Sequence, residues 1–76
     1  KNIGLNVRIE QVAVSAKSRI ASKTLAQAGI RRDLGVIVLA IRKQGKMLFN
    51  PSADTMIDAG DFLVAMGPPE SLHELE

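Results

Sequence analysis

The sequence predicts a single α+β domain with a small, mostly antiparallel sheet and elements in the order β-α-β-β-β-α. Three observations carry this. Two apolar runs, residues 36–41 and 62–66, are each of strand length and bounded by turn residues. Two short segments carry helix punctuation, Gly29 after one and Pro69 at the head of the other. At 76 residues the chain has room for one domain and none for a separate catalytic unit.

The first strand is read from Leu5-Asn6-Val7-Arg8-Ile9, which alternates apolar and polar with a period of two. The apolar parity then changes, because Val12 and Val14 occupy the even positions. Either a bulge sits near Glu10-Gln11 or both faces of the second half are covered. Residues 15–22 are polar and basic apart from Ala16, Ile20 and Ala21, and read as a loop. Ser22 is the expected N-cap of a helix of about two turns over 23–28, closed by Gly29 in the left-handed region. So short a helix needs tertiary support, so Leu25 and Ala28 should dock on the sheet.

Val36-Ile37-Val38-Leu39-Ala40-Ile41 is a continuous run of strand formers, as expected of a strand covered on both faces. Lys43-Gln44-Gly45-Lys46 turns the chain, and Met47-Leu48-Phe49 returns as the second arm of a hairpin. Pro51 ends that arm, since it cannot donate to a ladder. Asp58-Ala59-Gly60-Asp61 forms a turn, and Phe62-Leu63-Val64-Ala65-Met66 a second doubly apolar strand. After Gly67-Pro68, Pro69 opens a short helix whose Leu72 and Leu75 share one side. Residues 1–6 are expected to be a terminal segment and residues 7–76 the domain. The chain starts at Lys1 without a Met, which suggests a piece of a longer protein.

A domain of this size buries only about 60% of its unfolded surface and usually needs an aid. The chain has no Cys for disulfides, and a single His argues against structural zinc. A partner subunit remains. Two helices are too few to cover both faces of the sheet, so the open face calls for a second copy, most commonly in a symmetric dimer. The expected dimer contacts are Val36, Val38, Leu39 and Ile41. Each such side chain contributes roughly 1.5–3 kcal/mol when buried. The longest apolar run, eight positions from Leu34, falls far short of the ~20 that span a bilayer.

The formal net charge of +2 conceals a division. All ten basic residues lie within 1–46 against Glu10 and Asp33, a formal +8; the last thirty residues hold six carboxylates and no Lys or Arg, a formal −6. Either the halves offset one another in the fold or across a dimer, or the basic half attracts an anion.

The pattern for an enzyme is missing. His73, the only His, lies between Leu72 and Glu74 in an acidic helix, and no Gly-x-Ser-x-Gly elbow occurs. A phosphate-binding P-loop fails at both ends: Met47 follows Gly45-Lys46, and Ala40 stands where the first Gly belongs. No metal site is expected, because Asn50, Asp54, Asp58 and Asp61 do not follow the calcium-loop ligand order. Nucleic acid is a poor fit despite Arg31-Arg32, Arg42-Lys43 and Lys46. The only aromatics, Phe49 and Phe62, are expected in the core rather than as stacking platforms.

A small anionic ligand fits better. Arg31 and Arg32 offer forked donors matched to phosphate oxygens, and Ile30 and Pro51 can supply apolar walls. At a dimer axis each arginine pair would be doubled. The competing reading, arginines solvated or paired with Asp, stays open.

Five segments in order resemble the TrkA-C domain, the C-terminal half of the RCK (regulator of K⁺ conductance) module. They are Ser22-Lys23-Thr24-Leu25-Ala26, Ile30-Arg31, Val38-Leu39-Ala40-Ile41-Arg42, Asn50-Pro51-Ser52-x-Asp54-Thr55 and Gly60-Asp61-x-Leu63-Val64-x-x-Gly67. The resemblance implies a cytoplasmic, non-enzymatic regulatory homodimer attached to a potassium or other cation channel or transporter, or to an anion permease. It also implies that cyclic di-AMP, or another nucleotide, is a candidate ligand at the dimer cleft. The family's positions for it fall here on Ile30, Arg31, Ile37 and Pro51. Ile37 replaces the polar Asn of the Ktr-type binders, and Ser22 replaces a Gly.

Overall fold

The computed structural model describes residues 6–75 and contains all six expected elements, with three short ones added. The strands are β1 (Arg8–Ala13), β2 (Lys23–Thr24), β3 (Ile37–Lys43), β4 (Lys46–Phe49), β5 (Met56–Ile57) and β6 (Phe62–Gly67). The helices are α1 (Leu25–Ala28), α2 (Ile30–Leu34) and α3 (Pro69–His73). Four strands form one antiparallel sheet in the order β1-β6-β3-β4, while β2 and β5 pair in a two-stranded ribbon. Most of the expected terminal segment lies outside the described residues.

The first strand has no bulge. Its register with β6 runs unbroken from Arg8 opposite Gly67 to Ala13 opposite Phe62. Val12 and, just beyond the strand, Val14 are buried, whereas Val7 and Ile9 are exposed. The parity change therefore records two apolar faces. The bulge of this sheet lies in β3, where the register slips between Val38 and Ala40 and leaves Leu39 as the extra residue. That slip splits the continuous run. Val38 and Ile41 align with the inner residues Ala65 and Leu63, while Ile37 and Ala40 align with Met66 and Val64 on the outer face.

The inner face is closed by the chain itself over β1, β6 and β3, while on edge strand β4 Leu48, opposite Ile41, stays 47% exposed. Ile41, Ile57, Leu63, Ala65 and Leu72 have no exposed surface, and Ile20, Ile30 and Leu75 complete the core around them. Leu25 and Ala28 dock against this core, as their helix requires. Val36 and Ile41, expected at a dimer interface, belong here instead: both are wholly enclosed by their own chain. Val36 abuts Gly67, where an added Cβ would stand 3.0 Å from Val36 Cγ2. Val38 and Leu39 are half-buried.

No described helix lies over the outer face. Ile9 is 62% exposed, Phe49 77% and Ile37 45%, and Phe62, Val64 and Met66 are half-buried between them. Phe49 is therefore not a core residue: it lies on edge strand β4, which is exposed at all four positions. Phe62 carries the Arg42 guanidinium 4.6 Å from its ring centroid.

The helix start also differs from expectation. Ser22 takes φ 65° and donates its backbone N–H to Ile57 O, joining the ribbon of β2 and β5. Thr24 is the cap. Its hydroxyl accepts from Gln27 N at 3.1 Å, and its own N–H donates to Gln27 Oε1 at 2.9 Å, a reciprocal box. Gly29, in the left-handed region, ends α1 and lets α2 start at Ile30. The Gln44-Gly45 turn has positive φ at both residues, the two-residue geometry that matches strand twist.

Candidate functional site

The hairpin creates an opening. β4 stops at Phe49, opposite Ala40, and the chain turns away at Asn50, whose N–H donates to Leu39 O at 2.8 Å. Pro51 cannot extend the ladder. The first residues of β3 thus have β6 on one side and no described strand on the other. The chain crosses to α1, where Ala26 N donates to Ala53 O and Leu25 N to Thr55 O, both at 3.0 Å. These bonds satisfy amides of the first turn of α1 and fix the 51–55 loop against it.

Between that loop, the α1–α2 corner and the start of β3 lies an open cleft of about 610 Å³. Its lining includes Leu25, Ala26, Gly29, Val36, Val38 and Ala53. All five sequence-picked ligand residues, Ile30, Arg31, Arg32, Ile37 and Pro51, line it as well. Residues from α2, a strand start and a loop, up to 21 positions apart, thus meet in one place. Their environments differ. Ile30 is 2% exposed and supports the wall from beneath, whereas Ile37 stands at the rim.

The two arginines differ in a way that sequence could not tell. Arg32 Nε donates to Asp33 Oδ1 at 3.0 Å and Nη2 to Oδ2 at 3.3 Å, a forked pair at the surface. The hydrogen bond from Arg32 holds the Asp33 carboxyl below its usual range and raises the guanidinium in turn. Arg31 has no ion pair or side-chain hydrogen bond among the described residues. Of the two open readings of the pair, Asp pairing describes Arg32 and an available cation describes Arg31.

A second polar cluster closes the far end of the hairpin. Lys43 Nζ donates to Asp58 at 2.9 Å and to the buried Asp61, whose carboxylate also accepts from Asp58 N at 2.8 Å. Burial works to lower the Lys43 pKa. The hydrogen bonds and charges of Asp61 and Asp58 outweigh it, and the ammonium is held above its ordinary value. This cluster joins the basic and acidic halves of the chain, one place where the divided charge is offset internally. No described helix is long and apolar enough to cross a membrane.

The sequence model of the TrkA-C domain family matches residues 9–76. Among curated relatives, potassium channel protein 1 of Methanocaldococcus jannaschii is 38% identical over 55 residues, covering 72% of this chain and 16% of its own length. The chain thus spans about a sixth of that relative. Among solved structures, the GsuK RCK domain superposes with a TM-score of 0.80 at 27% identity, covering 93% of this chain and 15% of that one. The RCK_C domain dimer of S. agalactiae BusR in complex with c-di-AMP superposes with a TM-score of 0.79 at 21% identity, covering 87% of each chain. That last likeness is one of fold.

Proposed function

The chain belongs to the TrkA-C domain family, and from that premise we propose a non-enzymatic regulatory role as a homodimer. The pair works on the cytoplasmic face of a potassium or other cation transport system and holds a small anionic ligand, such as cyclic di-AMP, in the cleft. One observation carries the reading. The five ligand positions converge on a single cleft, and its rim residue Ile37 also belongs to the bare apolar face of the sheet. A second copy covering that face would border the cleft, so that occupancy and subunit arrangement become one equilibrium. Ile37 and Leu39 supply the contacts that Val36 and Ile41, enclosed in the core, do not. For the switch to transmit, the ligand must favour one arrangement of the pair over another.

Arg31 supplies the charge and Arg32 the lip of the cleft, while Pro51, Ile30 and Ile37 supply apolar walls for a ring system. The likeness to the BusR dimer with c-di-AMP supports both parts of the proposal. Two measurements test it. Sedimentation at micromolar protein should give about twice 8.2 kDa, and a monomer there counts against the pairing. A thermal-shift series with cyclic di-AMP, ADP and ATP should show stabilisation that Arg31→Ala removes. Ligand at 100 times its dissociation constant adds about 2.7 kcal/mol. The absence of any shift would leave assembly alone. Retention on DNA at low salt, falling steeply with salt, would favour the nucleic-acid alternative.

A further inference from the structure

We infer that Asp33 is a specificity-determining residue of the cleft. By occupying Arg32 it leaves Arg31 as the available guanidinium of each protomer, and so favours a phosphodiester, with one negative charge, over a terminal di- or triphosphate. This rests on reading the cleft as an anion site.

Asp33 does not itself line the cleft, but it is bonded to a residue that does. Arg32 and Gly29 both line the cleft, and the Arg32–Asp33 fork is pressed against Gly29. A Cβ built on Gly29 would lie 2.5 Å from Asp33 Oδ2 and 2.8 Å from Arg32 Nη2, so a side chain there would push the tips of the pair out of this position. The absent side chain at Gly29 thus serves the pair as well as the left-handed turn. Arg19 is the other cation whose field reaches Asp33, and it does not line the cleft.

The charges then decide. The fork is neutral as a unit, and Arg31 alone matches one phosphate charge. A terminal di- or triphosphate crowds its further negative charge at one protomer's Arg31, beside the Asp33 carboxylate where like charges repel, whereas the two phosphodiesters of cyclic di-AMP can each face the Arg31 of a different protomer. Exposed pairs of this kind contribute little to stability, so Asp33 can be changed without unfolding the domain.

Isothermal titration of wild type, Asp33→Asn and Arg31→Gln with cyclic di-AMP and with ADP tests this. Wild type should prefer cyclic di-AMP. Asp33→Asn should bind ADP about tenfold more tightly, with cyclic di-AMP changed by less than about threefold. Arg31→Gln should lose both. Cyclic di-AMP binding with an unchanged preference in Asp33→Asn would overturn the role of Asp33 and leave the cleft reading standing. Wild type taking ADP as tightly as cyclic di-AMP would do the same. If neither probe binds wild type or Asp33→Asn, the cleft reading itself falls and takes this inference with it.

Discussion

The two faces of the main sheet are built from similar side chains and meet different ends. On the inner face Val12, Ile41 and Leu63 are enclosed by helices and loops of the same chain. On the outer face Ile9, Ile37 and Phe49 are exposed. Apolar character does not distinguish the faces; the amount of chain available to cover them does. Three short helices and the 14–22 loop are enough for one side. The sheet is a completed core seen from within and an incomplete one seen from without.

The sharpest way to break this contrast is to truncate one residue on each side. Leu63→Ala should cost about 2–5 kcal/mol, read by urea denaturation, because it opens a cavity in an enclosed core. Ile9→Ala, at a concentration where the protein is monomeric, should cost within about 0.5 kcal/mol of nothing. Equal costs would mean that the outer face is packed in solution by the chain itself.

The second test sharpens what covers the outer face. Ile37→Asp puts an unpaired charge where the proposed partner would sit, and should raise the dimer dissociation constant at least about tenfold. Sedimentation should then report a mass moving toward 8.2 kDa, with the urea midpoint of the monomer little changed. A dimer of unaltered strength would mean that the pairing, if present, uses another surface.

Much of this division was legible in the sequence. The doubly apolar runs announced two greasy faces, and Leu72 with Leu75 announced the helix that covers one of them. The assignment of residues to faces was not legible, because a one-residue slip at Leu39 inverts it. The ladder shows that slip, and no residue type betrays it. Arg31 and Arg32 looked equivalent for a related reason: which of the two reaches Asp33 depends on the turn of α2. The cap is legible as well, at Thr24 and not at Ser22. Thr24-Leu25-Ala26-Gln27 spells the reciprocal box, whereas Ser22 lacks a Glu or Gln three positions on. The ribbon of β2 and β5 has no pattern of its own, since two-residue strands are too short to show a period.

A smaller effect follows at the cleft's frame. Thr24→Ala should cost about 1 kcal/mol, within 0.5–2, by freeing the first-turn amide of Gln27. Because α1 holds the 51–55 loop through Ala26 and Leu25, the loss should also speed amide exchange at those two positions. Inner-face amides on β6 should keep their protection, which separates a local loosening from a general one.

The smallest effect concerns Lys43, whose ammonium meets the buried Asp61 at the turn end of the hairpin. Lys43 is drawn above its ordinary pKa in the folded state despite partial burial, because Asp61 and Asp58 stabilise its charge. A group whose folded value exceeds its unfolded value contributes fully at pH below the unfolded one, near 10.5, and loses the contribution as pH rises through the folded value. Stability should therefore be flat in this respect around neutrality and fall in the alkaline range. Lys43→Arg keeps the charge through that range, so its stability curve should lack this part of the fall while matching wild type near pH 7. Parallel curves would mean that the ammonium gains as much from water as from the two carboxylates. The closed face would then tolerate Lys43 at its edge without being held by it.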